Sequence, residues 1–354
     1  MKIVLTALLW LGSLPLLAQQ AELSALLNHH NVPGLQLVFR KGGETRQYSL
    51  GLRQAGTTEA LTATTPMQAA SLSKVVLAYL TLRLHDRGLI DLDRPLLDYA
   101  PYPRLGAQPR AAVISARMVL THASGLPNWA DNPLAPTWKT SALRLKYAPD
   151  SCWNYSGEGF VWLQRTLEHL TGQSLPTLAQ TEVFGPLKMT TSSFVWREFF
   201  GRTASFGHDS GGQPTEIRQF QEANAGYSLL TTAADYSRLV QALMLGRGLR
   251  PATARLLTTA ANPANRCGRG PTPTDAYIAW GYGVGLASTS AGPALWHWGD
   301  NGDFQAFFMA VPAQKMSLVF FTNSANGLKL TDELLRQFFG PGQYWATDWL
   351  AAEK

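Results

Sequence analysis

Strand-forming sequence lies at the two ends of this chain and helix-forming sequence lies between them. Any sheet must therefore be assembled from segments near opposite termini, with the middle of the chain as an insert. At the front, Gly34-Leu35-Gln36-Leu37-Val38-Phe39-Arg40 and Arg46-Gln47-Tyr48-Ser49-Leu50 flank Lys41-Gly42-Gly43-Glu44 and read as a β-hairpin. At the back, residues 294–297, 304–311 and 316–322 have strand character, the last two joined by Pro312-Ala313-Gln314-Lys315. Between them, residues 72–87 read as a mostly buried helix that stops before Gly88, where a left-handed cap is easiest for glycine. Residues 115–121 and 158–170 read as further helices, and 332–339 as a closing amphipathic helix. Loops rich in Pro, Gly and Asn fall at 101–110, 125–136 and 261–274. The fold class expected is α/β (α+β). A mainly antiparallel sheet comes from about 24–65 and 275–354, flanked by helices, with a helical insert over about 70–270.

The first 18 residues read as a secretory signal. Lys2 is their only charge, an apolar run follows from Ile3 to Trp10, and Ala18 precedes the polar Gln19-Gln20-Ala21-Glu22. The run is short, and Gly12 and Pro15 break it, so a membrane span is disfavoured and a retained anchor is the lesser reading. No cysteine follows the cleavage region, which excludes lipid anchoring there. The expected location is periplasmic or secreted, with 19–354 as one domain and no stable membrane insertion after cleavage. The formal charge of +6 is scattered, without a run of Lys or Arg, which argues against nucleic acid as a partner. Cys152 and Cys267 are the only cysteines. An oxidising compartment permits a bridge between them, but their spacing does not say whether they meet. No metal-ligand spacing occurs, and His29-His30 reads as surface.

Chemistry first shows at Ser71-Leu72-Ser73-Lys74, the only Ser-x-x-Lys in the chain, which opens the apolar run Val75 to Leu80. Three residues apart on a helix, Ser71 and Lys74 share a face. A hydroxyl is a weak nucleophile until a base lies within hydrogen-bond reach. A lysine can be that base if apolar surroundings favour its neutral amine. Alone, the motif is equally an ordinary helix start. Further segments add to it: Tyr155-Ser156-Gly157 on a loop leading into a helix, His297-Trp298-Gly299 ending a strand, and Thr121-His122-Ala123-Ser124-Gly125-Leu126-Pro127 ending a helix in a tight loop.

Taken in their order along the chain, these segments resemble the penicillin-recognising serine hydrolases of the class C β-lactamase type. That group includes D-Ala-D-Ala carboxypeptidases, D-aminopeptidases and family VIII esterases. Ala225-Gly226-Tyr227-Ser228-Leu229 and Gly281-Tyr282-Gly283-Val284-Gly285 are similar to further family signatures, and the likeness runs from about residue 24 to about 340. The resemblance implies a β-lactamase/transpeptidase-like fold, an acyl-enzyme on Ser71, no cofactor and no metal. Lys74 and Tyr155 would be the proton-handling pair. His297 would line the opposite wall with Trp298, and the oxyanion would be held by the backbone N–H groups of Ser71 and Asp300, after Gly299. A tyrosine can act as base only where nearby cations stabilise its phenolate, so the identity of the base stays open between Lys74 and Tyr155. His122 and Ser124 read as loop-locking groups.

The departures bear on substrate. Gly157 stands where the family often has Asn. Position 297 is His rather than Lys, Trp298 replaces a small hydroxyl residue, and Asp300 adds a negative charge. An anionic substrate tail would meet fewer fixed donors and a like charge. Neutral esters or amides, including peptides with D-residues and possible cell-wall fragments, are therefore the expected partners. The alternatives are a β-lactamase or D-Ala-D-Ala carboxypeptidase within the class and, outside it, a non-catalytic penicillin- or peptidoglycan-binding sensor. The absence of any Gly-x-Ser-x-Gly disfavours α/β-hydrolase chemistry.

Overall fold

A computed structural model describes residues 13–352. The expected leader, residues 1–18, lies largely outside the described residues. The first described element is a helix, α1, Ser13–His29. No helix among the described residues is long and apolar enough to cross a membrane.

The strands are β1 Gly34–Lys41, β2 Glu44–Gly51, β3 Met67–Gln68, β4 Leu230–Thr231, β5 Asn262–Pro263, β6 Ile278–Trp280, β7 Gly285–Ala287, β8 Ala294–Asp300, β9 Gln305–Val311 and β10 Met316–Thr322. Eight of them form one sheet in the order β2-β1-β10-β9-β8-β7-β6-β5, and β3 and β4 pair separately. Its neighbours run antiparallel. Strand β1 from the front of the chain sits beside β10 from the back, with Leu35 opposite Thr322 and Lys41 opposite Met316. The sheet built from both ends is therefore present. Its far edge begins at Asn262, inside the span read as helical insert, because strands of two and three residues leave no alternating pattern to read.

The apolar runs in β9 and β10 have no polar alternation because both faces of the sheet are covered. On one face Val38, Phe308, Val319 and Phe321 pack with helices α2 Ser73–Asp86, α3 Gly157–Thr171 and α4 Ala233–Leu245. On the other, Leu37, Phe39, Phe307 and Phe320 pack with α1, α5 Thr331–Phe339 and α6 Trp345–Ala351. Helix α2 is apolar around most of its circumference, as a helix enclosed by protein must be. It stops near Gly88, whose φ of 74° lies in the left-handed region. Helix α3 begins where the Ser156 hydroxyl accepts the Gly159 N–H at 2.9 Å.

Candidate active site

Ser71 sits in a 3₁₀ turn, Ala70–Leu72, that leads into α2. Ala70 has φ +49°, a conformation that costs a non-glycine residue about 1 kcal/mol or more and persists only where surrounding contacts fix it. Those contacts are visible. The Ala69 N–H donates to Leu229 O at 2.7 Å, and an ideal Cβ on Gly299 would fall 2.3 Å from Ala69 O. Position 299 is therefore glycine because β8 passes directly against the turn that carries Ser71.

One turn on, Lys74 is completely buried, with Nζ 3.0 Å from Ser71 Oγ and donating to Gly226 O at 2.8 Å. Its nitrogen lies 4.8 Å from the ring centroid of Tyr155, 5.8 Å from that of Trp129 and 6.0 Å from that of Phe160. Burial pushes the amine down from 10.5 to about 7, so a substantial neutral fraction exists at physiological pH. Tyr155, distant in sequence, thus converges on the neighbouring pair Ser71 and Lys74.

Tyr155 enters on the loop before α3, and that loop is tied down on both sides. Trp153 N–H donates to Asn265 O and Cys267 N–H to Trp153 O, beside a Cys152–Cys267 disulfide. The pairing left open by the sequence is thus present. On the other side, Asn154 Nδ2 donates to Leu126 O at 2.6 Å and the Ser156 N–H donates to His122 Nδ1 at 3.2 Å. The loop-locking part expected of His122 fits this bond, although its ring also lies 4.5 Å from that of Tyr155.

His297 is fully buried behind the cleft, with rings of Trp298 at 5.1 Å, Trp280 at 5.6 Å and Tyr155 at 6.3 Å. Its Nδ1–H donates to Trp298 O at 2.7 Å, which leaves Nε2 as the acceptor nitrogen. His122 carries the opposite tautomer, because its Nδ1 accepts. Burial first, and then repulsion from His297 and Lys74, drives His122 well below 6.5; burial likewise drives His297 to about 3, so both rings are neutral. Trp298 is also buried and packs, tilted, against Tyr155 with ring centroids 5.0 Å apart. Neither residue lines the cavity at Ser71. That cavity, about 210 Å³, is walled on this side by Asp300 and Asn301 and elsewhere by Asn128, Trp129, Arg218 and Tyr227. The Asp300 carboxylate accepts from Gly302 N–H and Gln305 Nε2. A second cavity of about 470 Å³ shares Pro133, Leu134, Arg218, Phe220 and Tyr227 with it, so the cleft extends away from Ser71. An apolar recess near Tyr277 and Ile278 has no ionisable lining other than Tyr277 and lies apart from this chemistry.

Reading motifs did not reveal the support beneath the cleft. Glu158 is fully buried. It takes two bonds from Arg104 at 2.6 and 3.0 Å, one from Trp138 Nε1 at 2.7 Å and one from Ala130 N–H at 2.9 Å. All its demands are met, as a buried carboxylate requires. Trp129 is likewise invisible to motif reading; the only signal is Gly157 itself, a glycine where a side chain was expected.

Comparison with known proteins agrees with this architecture. The family model described as Beta-lactamase matches residues 20–337. Penicillin-binding protein 4 of Amycolatopsis lactamdurans is 26% identical over 338 residues, covering 91% of this chain and 88% of that protein. Esterase EstB of Burkholderia gladioli is 29% identical over 219 residues, 55% of this chain and 54% of that one. Among solved structures, D-alanine carboxypeptidase AmpC from Burkholderia cenocepacia superposes with a TM-score of 0.72 at 18% identity, over 90% of this chain and 97% of its own. With strands and helices in that arrangement and the matched segment spanning nearly the whole sequence, the chain belongs to the beta-lactamase family.

Proposed function

We propose that this protein is an exported serine acyl hydrolase, periplasmic or secreted, that forms an acyl-enzyme on Ser71. Its substrates are neutral esters or amides, including peptides with D-residues. The observation that carries the reading is the wholly buried Lys74 amine, 3.0 Å from Ser71 Oγ, with a pKa lowered to about 7. The Ser71 proton passes to the Lys74 nitrogen as Oγ attacks the carbonyl carbon. The resulting ammonium, or Tyr155, returns a proton to the leaving group as the C–O or C–N bond breaks. Water then cleaves the acyl-Ser71 ester. The N–H groups of Ser71 and Asp300 are assigned to the oxyanion, and removing such a donor costs about 3–4 kcal/mol in comparable sites. His297 and Trp298 act from behind by fixing the Tyr155 ring. Relatives named as a penicillin-binding protein and an esterase support the class, and the absence of an Asn at 157 favours esters over β-lactams.

The test is turnover of p-nitrophenyl esters beside nitrocefin, with fluorophosphonate labelling read by mass spectrometry. The expected result is an adduct on Ser71, a higher kcat/KM for the ester, and loss of about 1000-fold or more in Ser71→Ala. Greater efficiency on nitrocefin would make it a β-lactamase, and a stable penicillin adduct without turnover would make it a sensor.

Gly299→Ala probes the support of the nucleophile. The added methyl must push the Ala69–Ser71 turn away from β8, and a displacement of about 1 Å lowers kcat by about 100-fold. Ester kinetics that match wild type would remove β8 as the support that positions Ser71.

A further inference from the structure

We propose that Trp129 is a positioning residue for Lys74: its indole occupies the space of the missing amide side chain at 157 and closes the lysine off from water. The inference rests on the reading of Lys74 as a proton acceptor and adds the device that keeps it one.

Two glycines carry the argument. An ideal Cβ on Gly157 would lie 2.5 Å from both Cη2 and Cζ2 of Trp129, and one on Gly226 would lie 2.6 Å from the same Cη2. Neither glycine has a positive φ, so backbone conformation does not demand glycine at either position; space does. The obstructing atoms belong to a rigid bicyclic ring, which cannot swing aside as a flexible chain end could. Gly226 is also the residue whose carbonyl accepts from Lys74 Nζ. The indole is thus wedged between the peptide that holds the lysine and the position from which an amide would have reached it.

The wedge is itself held. The Gly157 and Glu158 N–H groups donate to Asn128 O, and the Ala130 N–H donates to the buried Glu158 carboxylate, so the residues on both sides of Trp129 are pinned to the start of α3. Its ring packs edge-on against Trp138 and Tyr227 at 6.0 and 5.7 Å. A neutral amine at Lys74 has two N–H groups and one lone pair. One N–H goes to Gly226 O, the lone pair faces Ser71, and the remaining N–H lies among the aromatic faces. Once the proton has arrived, those faces attract the ammonium. Dry rings therefore favour the free base before reaction and still hold the cation after it.

The titratable groups around the amine are few. Tyr227, against Trp129, donates its hydroxyl to Pro133 O and is pushed up to about 12 by burial, so it stays neutral. Tyr155 comes from the loop before α3. His122 and His297, whose rings lie beside that of Tyr155, are neutral through burial. Arg104 occupies the Glu158 carboxylate, and Asp300 and Arg218 stand on the cleft wall. Desolvation is the one cause that lowers the Lys74 pKa, and of the three aromatic rings around the amine Trp129 is the one that also lines the open cavity.

The decisive experiment titrates Lys74 directly, by NMR of protein labelled with ¹³C-lysine, assigned with Lys74→Met. It is run on wild type, Trp129→Phe and Trp129→Ala beside the pH profile of ester kcat/KM. Admitting water favours the charged form. The Lys74 midpoint is therefore expected to rise by about one pH unit or more in Trp129→Ala and by less in Trp129→Phe. The acid limb of kcat/KM should move upward with it. Gly157→Asn alone should lose about tenfold or more in kcat/KM, and Trp129→Ala/Gly157→Asn should recover part of that loss because the amide then has room. An unchanged Lys74 midpoint in a folded Trp129 variant, or a Gly157→Asn enzyme with wild-type kinetics, overturns the proposal. Trp129→Phe supplies the comparison if the alanine variant does not fold. The NMR titration needs no turnover, so an enzyme inactive on esters would end the hydrolase reading while leaving the role of Trp129 decided by the midpoint.

Discussion

Replacing Lys74 by methionine is expected to abolish hydrolysis and to make the fold more stable at neutral pH. Loss of the proposed proton acceptor should lower kcat/KM by about 1000-fold or more. The stability effect comes from the direction of the pKa change. Folded Lys74 titrates near 7 and an unfolded lysine near 10.5, so between those values the unfolded chain binds more protons and stability rises with pH. Below about 7 the full cost of burying the amine is present, a ceiling of about 5 kcal/mol. Methionine removes that cost but leaves Gly226 O without its donor, which offsets about 1–3 kcal/mol. A net gain on the order of 2 kcal/mol is therefore expected in urea unfolding at pH 7, shrinking toward pH 10. A methionine variant less stable than wild type at every pH would show that the lysine is not held at an energetic cost.

Mild acid is expected to weaken the protein before its carboxylates are protonated. His297 has its folded pKa depressed to about 3 by burial, and His122 is shifted in the same direction for the same first reason. An unfolded histidine titrates near 6.5, so above that pH neither ring affects the balance. As pH falls below 6.5 the unfolded chain takes up protons that the folded one refuses, and stability declines until the folded pKa is reached. From pH 6.5 to 5, His297 alone should remove about 2 kcal/mol, and His122 adds to it. Urea midpoints across that interval measure the slope, and His297→Gln should flatten it. An unchanged midpoint between pH 6.5 and 5 would mean that these rings are not held neutral by their surroundings.

Much of the frame could be read from local sequence. The strand runs at 34–40, 304–311 and 316–322 and the helices beginning near 73, 116 and 157 carry their own period and end signals, and each lies within a few residues of its expected place. Ser71 and Lys74 could be read because both fall within one helical turn. What could not be read depends on partners with no fixed spacing: Lys74 with Gly226, Arg104 with Glu158, Cys152 with Cys267. The inward placement of His297 belongs to the same kind. A strand period gives alternate faces, but both faces of β8 are covered here, so the sequence does not say which side opens on the cleft.

The pairing of β1 with β10 sets the order in which the molecule can be completed. Lys41 leaves the ribosome long before Met316, its neighbour in the finished sheet, exists. The central strands therefore cannot assemble while the chain is still being made, and the apolar edge of the first hairpin waits for almost the whole translation time. Contacts this distant in sequence slow folding and prolong exposure of sticky surface. Newly made protein should depend on holding factors until its last strands emerge, and truncations that remove β10 should yield insoluble material rather than a smaller enzyme.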